Sequence, residues 1–149
     1  MEEQVPRQRK TLDHDVPSWV KGNPDFFITV NCKQRGPVQL TLPATSNSLL
    51  KSLAFQHESH KWWIHVALLM PDHLHMLMAC HPKVDLKRSL RDWKKYTSTH
   101  FQVNWQRDFF DHRLRSTASF NEKYEYILQN PVRKGLVSRP GDWPHRFES

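Results

Sequence analysis

In MPDHLHMLMAC, residues 70–80, two histidines stand one residue apart within an otherwise apolar run. Side chains of an extended chain alternate, so His73 and His75 share one face while Leu74, Met76, Met78 and Cys80 take the other. Paired imidazoles can hold a divalent cation or can simply hydrogen-bond to neighbours, and two ligands alone make a weak metal site. Further donors come from YEYILQNPVRKGL, residues 124–136. On a helix, Tyr126 and Asn130 project from one face a turn apart, whereas Tyr124 points nearly the other way. A phenol and an amide carbonyl are hard oxygen donors that suit Mg²⁺ or Mn²⁺. A tyrosine that only packs is the plainer alternative.

These groups have a joint chemical use. A phenol with a pKa near about 10 is a poor nucleophile at neutral pH. A cation held by His73 and His75 would polarise a phosphodiester and orient it for in-line attack by the Tyr126 oxygen. The products would be a covalent phosphotyrosine and a free 3′-hydroxyl. Because that link retains the energy of the broken bond, reversal onto another end transfers the strand without ATP.

The elements that must position these groups follow from hydropathy. With 149 residues the chain fits one domain. PDFFITVNCK, residues 24–33, alternates as a half-buried strand with Phe26, Ile28, Val30 and Cys32 on one side. A turn at Gly36 and Pro37 precedes a helix over 46–59. WWIHVALLM, 62–70, and residues 73–80 read as a hairpin joined at Pro71 and Asp72. From Asp85, Leu86, Leu90, Trp93, Thr97 and Phe101 form one helical stripe, with Lys87, Arg88, Arg91, Lys94 and Lys95 over the remaining surface. DFFDHRLR, 108–115, reads as a fourth strand. Ser119 and Glu122 have capping-box spacing for a last helix over 120–129, ending before Pro131. The order β-α-β-β-α-β-α predicts an α+β fold: a ferredoxin-like split βαβ with an antiparallel sheet and an added C-terminal helix carrying Tyr126. Residues 1–23 read as a flexible N-terminal arm and 24–149 as the single domain.

Lysines and arginines outnumber acidic residues 22 to 15, a net charge of +7 that favours a polyanion such as nucleic acid or marks a merely basic protein. The opening MEEQVPRQRK has no apolar stretch and no window approaches a membrane span, so the cytoplasm is the expected location. Cys32 and Cys80 read as reduced core residues.

MPDHLHMLM, WQRDFFDHRLRS and YILQNPVRKGLV, in that order, closely resemble the signatures of single-tyrosine HUH transposases, specifically the REP-associated branch of the IS200/IS605-like group. The resemblance spans residues 24 to 145. It implies that His73 and His75 are metal ligands, Tyr126 the nucleophile forming a 5′-phosphotyrosine, and Asn130 a polar aid to the metal. It also implies Mg²⁺ or Mn²⁺ and single-stranded DNA with a nearby REP-like hairpin. Some relatives act as monomers and others as homodimers that exchange the tyrosine helix, and both arrangements stay open. One departure is Asp72, where the family usually has asparagine; it can add a ligand or cap the turn, and the turn role is favoured.

A single-stranded substrate gives the basic residues a use. Arg88, Arg91, Lys94 and Lys95 can contact phosphates or only face water. Arg113, Arg115, Arg133 and Lys134 flank the expected site in sequence and can neutralise phosphates. Trp105 and Phe109 can stack on bases or belong to the core. A domesticated descendant that binds hairpins without cutting them is the rival reading. A relaxase-like initiator shares the chemistry but would need a larger assembly.

Overall fold

A computed structural model describes residues 16–149. A short helix α1 (Ser18–Gly22) is followed by β1 (Asp25–Asn31), α2 (Pro43–Glu58), β2 (Trp62–Met70), β3 (His73–Cys80), α3 (Leu86–Phe101), β4 (Phe110–Leu114), α4 (Thr117–Arg133) and β5 (Arg146–Glu148). The five strands form one sheet in the order β4-β1-β3-β2-β5, with every pair antiparallel. This is the expected ferredoxin-like α+β arrangement with the last helix added, and with a further edge strand beyond β2. Among the described residues no helix is long and apolar enough to cross a membrane.

The alternation of β1 and β3 divides the core into two layers. Ile28, Val30 and Cys32 join Leu74, Met76, Met78 and Cys80 against Leu49 and Leu53 of α2 and Leu90 and Trp93 of α3. Phe27 and Leu77 face the opposite way and pack with Phe120, Tyr124, Ile127 and Leu128 of α4. Strand β2 serves both layers through a register shift between Ile64 and Val66. Before the shift Trp62 and Ile64 face α2 and α3; after it Ala67 and Leu69 do, while Val66, Leu68 and Met70 turn to α4. The inserted residue inverts the alternation, and burial on both faces accounts for an apolar run interrupted only by His65. Cys32 and Cys80 are buried free thiols, and burial pushes them up to about 11 and about 12.

Three boundaries depart from the sequence reading. Helix α2 starts at Pro43, three residues before the expected start at 46, because a first-turn proline gives up no hydrogen bond; Ser46 is buried and bonded to His145 Nδ1 at 2.6 Å. The capping box of α4 is Ser116 with Ser119. Each of these serines bonds the other's backbone amide, so Glu122 is not needed. The helix also runs through Pro131 to Arg133. Pro131 is buried, Asn130 C=O accepts from the Lys134 amide at 3.1 Å, and Arg133 Nη2 donates to the Tyr126 carbonyl at 2.7 Å. Burial of the ring in the core and continuation of the ladder beyond it offset the single amide that proline lacks.

The expected arm is held at its far end. Val20 of α1 packs on Trp63 and Ala79, so residues 18–22 are part of the folded unit, while residues 1–15 of that arm lie outside the described residues.

Candidate active site

His73 and His75 open β3, a central strand between β1 and β2, and pair with Asn31 and Thr29 across one ladder. Their rings lie 4.6 Å apart between centroids, at 76°. They point to the α4 layer, opposite the apolar set, as the alternation predicts. They do not emerge on an open face: α4 crosses the sheet there, and the two residues are 8% and 6% exposed. The helix needs the same sheet face for its own apolar stripe, so it covers the imidazoles as well.

Each ring is anchored through Nδ1. His73 Nδ1 lies 2.7 Å from Asp72 Oδ1, and His75 Nδ1 lies 2.9 Å from Thr29 Oγ1. Burial acts to raise the Asp72 carboxyl, but hydrogen bonds from His73, Arg35 and the Gly36 amide hold it well below the usual carboxylate range. An ionised carboxylate only accepts, so His73 Nδ1–H donates and its Nε2 carries the lone pair. That Nε2 faces the Asn130 amide nitrogen at 3.5 Å. Burial also lowers His73. His75 is pushed down to about 3 by burial, with His73 and Arg133 adding to the effect. Both rings are therefore neutral at physiological pH, the form in which imidazole ligates metals.

Asp72 is neither a simple turn cap nor aimed at the site. Its second oxygen accepts from Arg35 Nε at 3.0 Å and from the Gly36 amide at 2.8 Å. Gly36 has φ +107, a conformation that an L side chain resists, and it lets the loop bring its amide to the carboxylate. The favoured turn role is thus corrected: Asp72 orients His73 and ties the loop after β1 to β3.

Helix α4 presents its pair as spaced. Asn130 is buried over His73, and Tyr126, one turn earlier, stands at the rim 42% exposed. The Tyr126 ring lies 5.6 Å from that of His75 and 6.0 Å from Phe27. Tyr124 turns into the core instead, where its hydroxyl donates to Glu148 Oε1 at 3.0 Å. Cations surround the exposed phenol: Arg133 Cζ is 4.3 Å and Lys123 Nζ 5.6 Å from the ring centroid.

The basic residues divide sharply. Arg133 and Lys134 close α4 next to the histidines; Arg133 bears on His75 and Lys134 on His73 electrostatically. Arg115 is exposed between β4 and α4. Arg113 pairs with Phe26, so it projects to the sheet face opposite the histidines. Arg88, Arg91 and Lys95 are exposed on α3, also across the sheet from the site. Lys94 is removed from any surface role: it is buried, and its ammonium donates to the carbonyls of Gln106 and Arg107 at 2.7 Å and Asp108 at 3.4 Å. Those carbonyls leave a loop without ladder partners, and Lys94 satisfies them. Trp105 is core, its indole N–H bonded to Thr97 Oγ1, and Phe109 packs on the same layer.

Thr29, Arg35, Phe27 and Lys123 also belong to the site and escaped the sequence reading. Thr29 and Phe27 lie on the off-stripe side of β1, a mixed set with no signal until strand pairing puts it beside His75. Among the described residues no third His, Cys, Asp or Glu joins the two histidines as a metal cluster.

Comparison with known proteins identifies the family. Residues 26–134, a range that includes His73, His75, Tyr126 and Asn130, match the family described as "Transposase IS200 like". The chain is 30% identical over 132 residues to the REP-associated tyrosine transposase of Escherichia coli strain K12, covering 85% of this chain and 76% of that protein. It is similar, with a TM-score of 0.73 and 25% identity, to a solved structure of a REP-associated tyrosine transposase bound to a REP hairpin; the match covers 83% of this chain and 76% of that one.

Proposed function

Because the chain belongs to the IS200-like transposase family, we propose that it is a metal-dependent endonuclease and strand transferase. It acts on single-stranded DNA beside REP-like hairpins, with Tyr126 as nucleophile. The observation that carries this reading is the placement of one exposed phenol beside two buried, neutral imidazoles whose Nδ1 atoms are already engaged. The hairpin enters from the relative whose solved structure holds one.

The donor set fits a divalent cation such as Mg²⁺ or Mn²⁺. His73 Nε2 faces the Asn130 side-chain amide at 3.5 Å and the His75 ring lies 4.6 Å from that of His73, so the two imidazoles, with the Asn130 carbonyl oxygen once its amide turns, would hold the ion, and phosphate oxygens would complete its shell. When bound, such a cation supplies Lewis-acid charge at a phosphate oxygen. Tyr126 Oη attacks phosphorus in line, an O–P bond forms, and the bond to the 3′-oxygen breaks. The phenol proton passes to solvent and the departing 3′-oxygen takes one up. Arg133 and Lys123 offset the phosphate charge that accumulates beside the ring. Asp72 and Thr29 keep the imidazoles from turning. One chain supplies all of these groups.

The test is incubation of labelled, hairpin-flanked single strands with Mn²⁺, followed by denaturing electrophoresis. The expected result is a protein–DNA adduct that Tyr126→Phe and chelator both abolish while hairpin binding persists. Tight binding with no adduct on any related repeat would replace this reading with that of a non-cutting hairpin binder.

A further inference from the structure

Strand β4 forms one edge of the sheet, and Phe110 at its start is 56% exposed. It pairs with Thr29, which places it on the histidine side of the sheet. Helix α4 covers Phe27 and Leu114 on that side but leaves Phe110 open. The Phe110 ring meets Phe27 edge-on at 6.4 Å and lies nearly parallel to His112, 6.4 Å away at 17°. Phe27 in turn stacks on His75 at 5.4 Å and meets Tyr126 at 6.0 Å. A continuous row of rings thus runs from the open sheet edge to the candidate nucleophile.

Cations line the same row. Lys123 Nζ is 5.0 Å from the Phe27 centroid, and Arg133 lies over Tyr126. The exposed Phe110 and Tyr126 rings, with Arg133 and Lys123 beside Tyr126, suit a chain that offers flat apolar surfaces and a phosphate at each step. That chain is single-stranded nucleic acid; in a duplex the base faces are already stacked on one another.

We propose that Phe110, supported by Phe27 and His112, is a base-stacking platform that holds an unpaired nucleotide next to the phosphate facing Tyr126. The proposal rests on the reading of single-stranded DNA as substrate. It assigns Phe110 a role in positioning the strand, separate from the metal and the nucleophile.

Binding in the presence of chelator isolates this role from cleavage. The probes are oligothymidylate about twelve nucleotides long and an abasic strand with the same number of phosphates. The wild-type chain is expected to prefer the thymidylate about tenfold by fluorescence anisotropy. Phe110→Ala, with an unchanged circular dichroism spectrum, should bind both strands alike, and Phe110→Trp should restore the preference. Equal wild-type affinity for the two strands, or a preference that survives Phe110→Ala, overturns the proposal. So does self-association that Phe110→Ala abolishes without changing DNA binding, since the patch would then serve a second copy. Because no covalent step is read, loss of the preference supports the platform whether or not the Tyr126 adduct forms, and the two readings fail separately.

Discussion

Asp72 illustrates how a side chain that touches no reacting group can govern those that do. Its carboxylate fixes the His73 tautomer and gathers the Arg35–Gly36 loop in the same contact. A ligand left free to rotate loses affinity for its ion, typically by about 10- to 100-fold when an outer partner is removed. Asp72→Ala is therefore expected to weaken Mn²⁺ binding in calorimetry by about that factor. Asp72→Asn keeps an acceptor oxygen and should stay close to the parent chain. Equal affinity in all three chains would show that His73 is oriented by packing alone.

Among the elements, α3 changes meaning most between sequence and structure. Its amphipathic stripe is read correctly: Leu90, Trp93 and Thr97 are buried as expected. The basic complement looks uniform in sequence, yet Lys94 is drawn inward while Lys95 stays in water. Three carbonyls in the turn between α3 and β4 converge on the Lys94 ammonium, and removing it strands them. Lys94→Ala should cost about 2–3 kcal/mol in denaturant unfolding. Lys95→Ala should stay within about 0.5 kcal/mol. Similar values for the two would mean that water replaces the ammonium at those carbonyls. On α4, the i, i+4 spacing of Tyr126 and Asn130 was legible in advance because helix geometry alone sets it. The passage of the helix through Pro131 was not, since it depends on burial of that ring against the sheet, which is tertiary.

At the scale of the molecule, His57 joins three elements. It leaves α2, its Nδ1 accepts the Ile64 amide of β2 at 3.0 Å, and its ring meets Phe147 of β5 at 5.3 Å. Burial pushes it down to about 4 from an ordinary 6.5, with His65 and His60 adding repulsion. The unfolded chain takes up this proton first as pH falls, so the contribution of neutral His57 is complete above about 6.5 and is lost between there and about 4. Thermal melts should show the midpoint falling across that window. His57→Asn, which retains an acceptor near the Nδ1 position without titrating, should flatten part of the fall. An unaltered slope would remove His57 from the acid response.

Local periodicity determined much of this protein in advance. A two-residue alternation put both imidazoles on one side of β3, a helical repeat put the phenol a turn from the amide, and the order of elements specified four of the five strands, because each pattern is a property of neighbouring residues. Tertiary structure alone decided that α4 lies over the histidines, that Asp72 serves as an anchor, that Lys94 is internal and that Phe110 stays open on the histidine side of the sheet. Those outcomes depend on which distant segments compete for the same face or the same hydrogen bond. Strand pairing and burial settle that competition, and neither is written in any short stretch of chain.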